Sequence, residues 1–200
     1  MKNFNQARSQ GGFSLIELLL VLAIIAALAV AAFIVYPRVQ AGRNATYESQ
    51  ILSSAQAGVK ALFTTNNYRN LTKAAAYNAQ IFPDNMNLST TSIQNQWAGE
   101  VDVGPSTSAG DAAATGTTPV RYFRIVYTNV PADVCIRLAG AAVQNFGTVV
   151  VNSNNDAAGG GVVVQDTYSA TTKPLDESLI ATNCKPATGK VGASITFVSN

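Results

Sequence analysis

Histidine is absent from this chain, charged residues make up only 12% of it, and cysteine occurs just twice. Each scarcity removes a class of chemistry. Without imidazole, neither a Ser-His-Asp nor a Cys-His nucleophile system can be assembled, and imidazole general-base catalysis is excluded. Carboxylates stand close in sequence at Glu100 and Asp102, and at Asp176 and Glu177. Neighbouring acids in polar segments read as solvated surface rather than as a catalytic pair. Gly159-Gly160-Gly161 comes before an expected strand, so it lacks the helix N-terminus that a phosphate-cradling loop exploits and reads as a turn. No cofactor and no metal are called for, and an enzyme is the function class with least support.

The two cysteines, Cys135 and Cys184, both fall in the C-terminal half. A metal pair and a reactive thiol are open alternatives, but two widely spaced thiols without histidine make a poor zinc site. The reading adopted is a structural disulfide, which places that half in an oxidising compartment such as the periplasm or the cell exterior. Closing a loop of about 50 residues stabilises by roughly 4 kcal/mol in the chain-entropy model.

Apolar residues, by contrast, are abundant and concentrated. Every residue from Leu18 to Val35 is apolar, and the stretch from Phe13 to Tyr36 is 24 residues long. As a helix it measures about 36 Å, enough to cross a hydrocarbon core of about 30 Å. A basic leader with Lys2 and Arg8 precedes it and ends in Gly11-Gly12; the run then opens Phe13-Ser14-Leu15-Ile16-Glu17. A signal peptide is cut after its apolar region, whereas the plausible junction here lies before it, between Gly12 and Phe13. Cleavage there keeps the apolar segment as an anchor. It also leaves 11 basic and 11 acidic residues, so the formal +2 of the whole chain disappears and no bulk electrostatic case for nucleic acid remains.

Glu17 is the one carboxylate inside the run. An acid at membrane depth costs about 2.5 to 3.5 kcal/mol on insertion scales and is usually functional. Cleavage would supply its cation, the new amine on Phe13, which is an i,i+4 partner in the same chain and within reach of Glu17 on a neighbouring helix. The residues Gly12-Phe13-Ser14-Leu15-Ile16-Glu17-Leu18 resemble the processing and assembly motif of type IV pilins and related pseudopilins. That resemblance implies a membrane-embedded prepilin peptidase that cuts after Gly12 and N-methylates Phe13, with Glu17 and the Phe13 amine setting subunit register in a filament.

Farther along, Ala45, Ile51, Leu52, Ala55, Val59, Leu62 and Phe63 recur every three to four residues, the pattern of an amphipathic helix with one buried face. One long helix is expected from residue 13 to about 64, with a kink or local break near Pro37 and Gly42 that does not end it. Turns are expected at Asn66-Asn67, Asn70 and Pro83-Asp84-Asn85, and an exposed Ser/Thr/Ala/Gly loop from Gly104 to Pro119. β-Branched runs at Tyr122–Thr128, Val134–Leu138, Gly147–Val151, Gly161–Val164 and Ser194–Val198 read as strands. The fold class is α+β: a long N-terminal helix, its first half transmembrane, packed on an antiparallel sheet. The expected organisation is a cleaved leader (1–12), a transmembrane and filament-core helix (13–36), its amphipathic continuation (37–64) and a globular α+β domain (65–200).

Within that domain, Asn95-Gln96-Trp97-Ala98-Gly99-Glu100-Val101 resembles the Asn-x-Trp-Gly-Gly-x-Val segment of type IVb pilins, with alanine at the first glycine; Trp97 itself reads as a core aromatic. The strand from Tyr122 into Cys135, and the closing strand after Cys184, look like the same group, especially the thin-pilus pilins of conjugative plasmids. The 12-residue leader and Phe13 are more typical of the type IVa group. Three Asn-x-Ser/Thr matches, at Asn44, Asn70 and Asn87, read as chance. Lys173, Lys185 and Lys190 would form a DNA-binding stripe only if folding gathered them.

These readings imply a structural subunit of a type IV pilus, the major pilin. It would reside in the bacterial inner membrane and then in an extracellular filament. Its partners would be other pilin subunits in a homopolymer, the prepilin peptidase, the inner membrane and the assembly machinery, with a host surface or DNA met at filament level in adhesion or conjugation. The alternatives are a minor pilin, a secretion pseudopilin, or a membrane-anchored binding module for DNA or a host surface.

Overall fold

The computed structural model describes residues 13–111, 119–156 and 160–200. The chain divides into two compact units, residues 1–40 and 41–200. Helix α1 spans Leu15–Leu62 and includes Pro37. Proline removes one donor and leaves the rest of the ladder in place, and the element continues past it as expected. In the first unit every described residue from 13 to 39 is exposed, and the apolar run gives an 18-residue window of mean hydropathy 3.3.

The second unit is built on the remainder of α1. Its buried stripe is Ala41, Ala45, Glu48, Ile51, Leu52, Ala55 and Val59, the expected three-to-four spacing with one acid in it. Small residues near the start of the stripe allow close approach, while Ile51, Leu52 and Val59 supply apolar volume. They join one core with Phe123, Ile125 and Tyr127 of β4 (Tyr122–Val130) and with Ile195 and Phe197 of β7 (Ala193–Ser199).

Five strands form the main sheet in the order β3-β4-β7-β5-β6, all neighbours antiparallel. Here β3 is Val101–Ser106, β5 Thr148–Asn152 and β6 Val162–Asp166. Strand β7 lies at the centre and every one of its residues is buried. It pairs Ile125 with Phe197 on one side and Val149 with Phe197 on the other. A two-stranded ribbon, β1 (Asn87–Ser89) with β2 (Ser92–Ile93), stands apart from this sheet.

Two sequence expectations need correction. Val134–Leu138 is not a strand but part of helix α3, Ala132–Ala142. Its β-branched Val134 and Ile136 suggested a strand, yet Val134, Cys135, Leu138, Ala139 and Ala142 are the buried positions, a helical stripe, and Pro131 fits the helix start because no N–H is needed there. Second, the expected loop from Gly104 loses its first three residues to β3, which pairs Gly104 with Arg124 and Ser106 with Tyr122. Residues 112–118 of that loop lie outside the described residues. Two short helices were not anticipated: α2 (Lys73–Asn78), capped by the Thr72 hydroxyl on the Ala75 N–H, and α4 (Glu177–Asn183), capped by the Asp176 carboxylate on the Leu179 N–H.

Candidate functional site

Gly12 lies outside the described residues. Phe13 is 87% exposed, and the helix begins two residues later, at Leu15; the Glu17 and Leu18 N–H groups donate to the Ser14 carbonyl at 3.0 and 3.2 Å. Glu17 therefore occupies the first turn of α1, where the positive end of the helix dipole favours an acid. Leu15, Ile16, Leu18 to Leu22, Ile24, Ile25, Leu28, Val30 and Phe33 to Tyr36 are all exposed apolar side chains of this unit. An uncovered apolar cylinder carrying one carboxylate has no means of chemical catalysis. It can only be covered, by lipid or by other helices.

Cys135 and Cys184 are bonded, with their Cα atoms 5.6 Å apart, and both are fully buried. The bridge ties α3 to the C-terminal end of α4. Of the alternatives raised by the sequence, metal pair and free thiol are both excluded by the bond.

The Asn95–Gly99 segment is a turn organised by one buried side chain. Asn95 Oδ1 accepts from the Trp97 N–H at 3.0 Å and the Gly99 N–H at 2.9 Å, while its Nδ2 donates to the Thr128 carbonyl at 2.7 Å. Ala98 sits in the left-handed region at φ 55°, so the conformation that suits glycine is kept although alanine occupies the position. Gly99 is required for a different reason: a Cβ there would lie 1.9 Å from the Thr128 carbonyl oxygen. Trp97 is half-buried against the core, in line with its reading as a core aromatic.

The remaining polar candidates are drawn into structural roles. Lys73 pairs with both Glu100 and Asp102, and Arg124 with Asp102 at 3.3 Å. Partial burial pulls the Lys73 pKa down, but the two carboxylates outweigh it and hold the ammonium above its ordinary value. Asp176 is spent on capping α4. Lys173 is half-buried with its Nζ donating to the Val163 carbonyl, whereas Lys185 and Lys190 are exposed. Lys173 is thus engaged with its own sheet rather than presented beside them as a stripe.

The sequence matches two family models: PilS N terminal over residues 42–200, and the prokaryotic N-terminal methylation motif over residues 7–33. No curated protein sequence matches the chain. Among solved structures, a type IV b pilin from Salmonella typhi is similar at TM-score 0.50 and 15% identity, covering 76% of this chain and 97% of that one. TcpA, a type IV pilin from the Vibrio cholerae El Tor biotype, is similar at TM-score 0.48 and 17% identity, covering 79% of this chain and 99% of that one. The PilS match spans all but the first residue of the globular unit and the methylation motif spans the junction at Gly12 and Phe13, so the chain belongs to the PilS family of type IV pilins and is a structural subunit, not an enzyme.

Proposed function

We propose that this chain is the major subunit of its pilus, cut between Gly12 and Phe13 by a prepilin peptidase and held in the inner membrane by residues 13–36 until it enters the filament. The observation that carries the reading is the uncovered apolar surface from Leu15 to Tyr36 with Glu17 at its start. Lipid covers that surface in the membrane, and the same helices of other copies cover it in the filament. Ala23, Ala26, Ala27, Ala29, Ala31 and Ala32 let the helices approach closely. In that packed setting the acid would be an unpaired charge unless Glu17 met the Phe13 amine of a neighbour. The pairing fixes how far one subunit slides along the next.

Mass spectrometry of the mature N-terminus tests the processing step: a methylated Phe13 is expected, and an intact Met1 or a cut after Val35 refutes it. Glu17→Val tests assembly. The variant is expected to be cleaved normally and to build no filaments; filaments of ordinary yield would remove Glu17 from the mechanism. Dominance of this chain in sheared surface filaments marks the major subunit, and scarcity there assigns it a minor role. Contacts with the assembly machinery, a host surface or DNA then belong to the assembled filament, through which adhesion or conjugation would act.

A further inference from the structure

Helix α1 contains two acids, Glu17 and Glu48, and the assembly reading uses only the first. Glu48 lies in the globular unit and is 1% exposed. Neither of its carboxyl oxygens makes a hydrogen bond of good geometry, nor does the fully buried Tyr127 hydroxyl, and the polar groups that interact with the carboxyl are that hydroxyl and the Gln96 backbone. No cation lies within ion-pair distance of Glu48 among the described residues. The groups facing it are the Tyr127 hydroxyl from β4 and the backbone of Gln96 from the Asn95–Gly99 turn, and Tyr47, its neighbour on α1, faces Tyr127. Three pieces of structure therefore meet at one carboxyl: the helix, the strand, and a turn that already holds Ala98 in a disfavoured conformation.

A carboxyl so enclosed is tolerable as the neutral acid, and as a carboxylate it is a buried charge without a counter-ion. We propose that Glu48 is a proton-dependent latch: neutral, it lets the Asn95–Gly99 turn and β4 close over α1, and ionised, it loosens that closure. Burial drives the Glu48 pKa upward, and the nearby Tyr127 hydroxyl and Gln96 backbone only partly offset it. Tyr127 stays neutral because burial first, and the adjacent carboxyl second, push its own pKa well up.

The direction follows from linkage. An acid with a raised folded-state pKa binds more protons folded than unfolded, between the ordinary carboxylate range and the raised value. Its stabilising effect is complete below that window and is lost as pH rises through it. One proton limits the change to about tenfold in the opening equilibrium per pH unit. The pilin domain is then tightest below that window and opens more readily as pH rises through it. Glu48 lies apart from the processing junction, so failure of the latch leaves the roles proposed for Phe13 and Glu17 untouched.

The processed full-length chain in detergent micelles provides the test. Hydrogen-exchange protection at residues 94–99, normalised to the unfolded-chain rate at each pH, is expected to fall by up to tenfold per unit across the window, and to be flat in Glu48→Gln. A carboxyl-carbon NMR titration should give Glu48 a midpoint above the ordinary carboxylate range. Tyr127→Phe keeps the ring and removes a group that favours the ionised form, so its midpoint should move higher. An ordinary midpoint for Glu48, pH-independent protection in the wild type, or an unmoved midpoint in Tyr127→Phe each overturns the latch.

Discussion

Opening the Cys135–Cys184 bridge should remove about 4 kcal/mol from the globular unit. The separation of 49 residues sets the magnitude, because a denatured chain freed of a loop that size regains about 14 cal/mol/K. A domain of ordinary stability holds 5 to 15 kcal/mol, so the reduced form stays folded with a much smaller margin. Reduction keeps both sulfurs in place, whereas Cys135→Ala with Cys184→Ala also deletes two fully buried atoms at about 1 kcal/mol each. The double variant should therefore be less stable than the reduced wild type by about 2 kcal/mol. Urea unfolding of the processed chain in detergent, followed through Trp97, the single tryptophan, measures all three forms. The slope against urea should rise when the bridge is open, because the unlinked denatured chain exposes more surface. A reduced protein within 1 kcal/mol of the oxidised one would refute the loop-entropy argument, and reduced and double-alanine forms of equal stability would refute the packing term.

The Asn95 turn gives two further tests by the same unfolding measurement. Ala98→Gly should stabilise by about 0.5 to 1 kcal/mol, the relief of a left-handed alanine less the added flexibility of the unfolded glycine; a loss would mean that the Ala98 side chain contributes packing. Asn95→Ala should cost about 2 to 4 kcal/mol, since it removes the acceptor of two backbone N–H groups and the donor to Thr128 in a buried site, and a cost under 1 kcal/mol would show that the turn holds without its brace.

Which parts of the fold could be read in the sequence follows from segment length and position. Helix α1 was legible because an apolar run passes into a long three-to-four periodicity, and both signals accumulate over many residues. Strands β4, β5, β6 and β7 were legible as β-branched runs bounded by turn residues. Helix α3 reads as a strand because five residues around Val134 and Ile136 do not separate period two from period 3.6, whereas the eleven from Ala132 to Ala142 do. Strand β3 reads partly as loop in the sequence because it contains Gly104 and Pro105. It forms an edge of the sheet, and there a proline is permitted because one side of the strand needs no donor. Helices α2 and α4, at 6 and 7 residues, are too short to show a face, and their caps Thr72 and Asp176 were the readable trace. Around the candidate site, Gly12, Phe13 and Glu17 are singled out by their order at the head of the apolar run, and the cysteine pair by its scarcity. Glu48 did not, although an acid between Ala45 and Ile51 on an otherwise apolar stripe was there to be noticed.

The topology also constrains the order in which the domain can become stable. Strand β7 is the last described element, yet it lies between β4 and β5 and supplies a fully buried row to the core. Until residues 193–199 insert, β3 and β4 form one ribbon and β5 and β6 another, with no shared sheet on which the stripe from Ala41 to Val59 can rest. Cys184 precedes β7 by only nine residues, and the helices that the bridge ties together touch this side of the sheet, α3 at β5 and β7 and α4 at β5 and β6. The bridge therefore ties together two helices that rest on the side of the sheet that β7 completes. On the anchoring proposed above, the apolar half of α1 needs none of this, since its hydrogen bonds are internal and lipid would satisfy its side chains. A chain so anchored could fold its domain afterwards, with the anchor already in place.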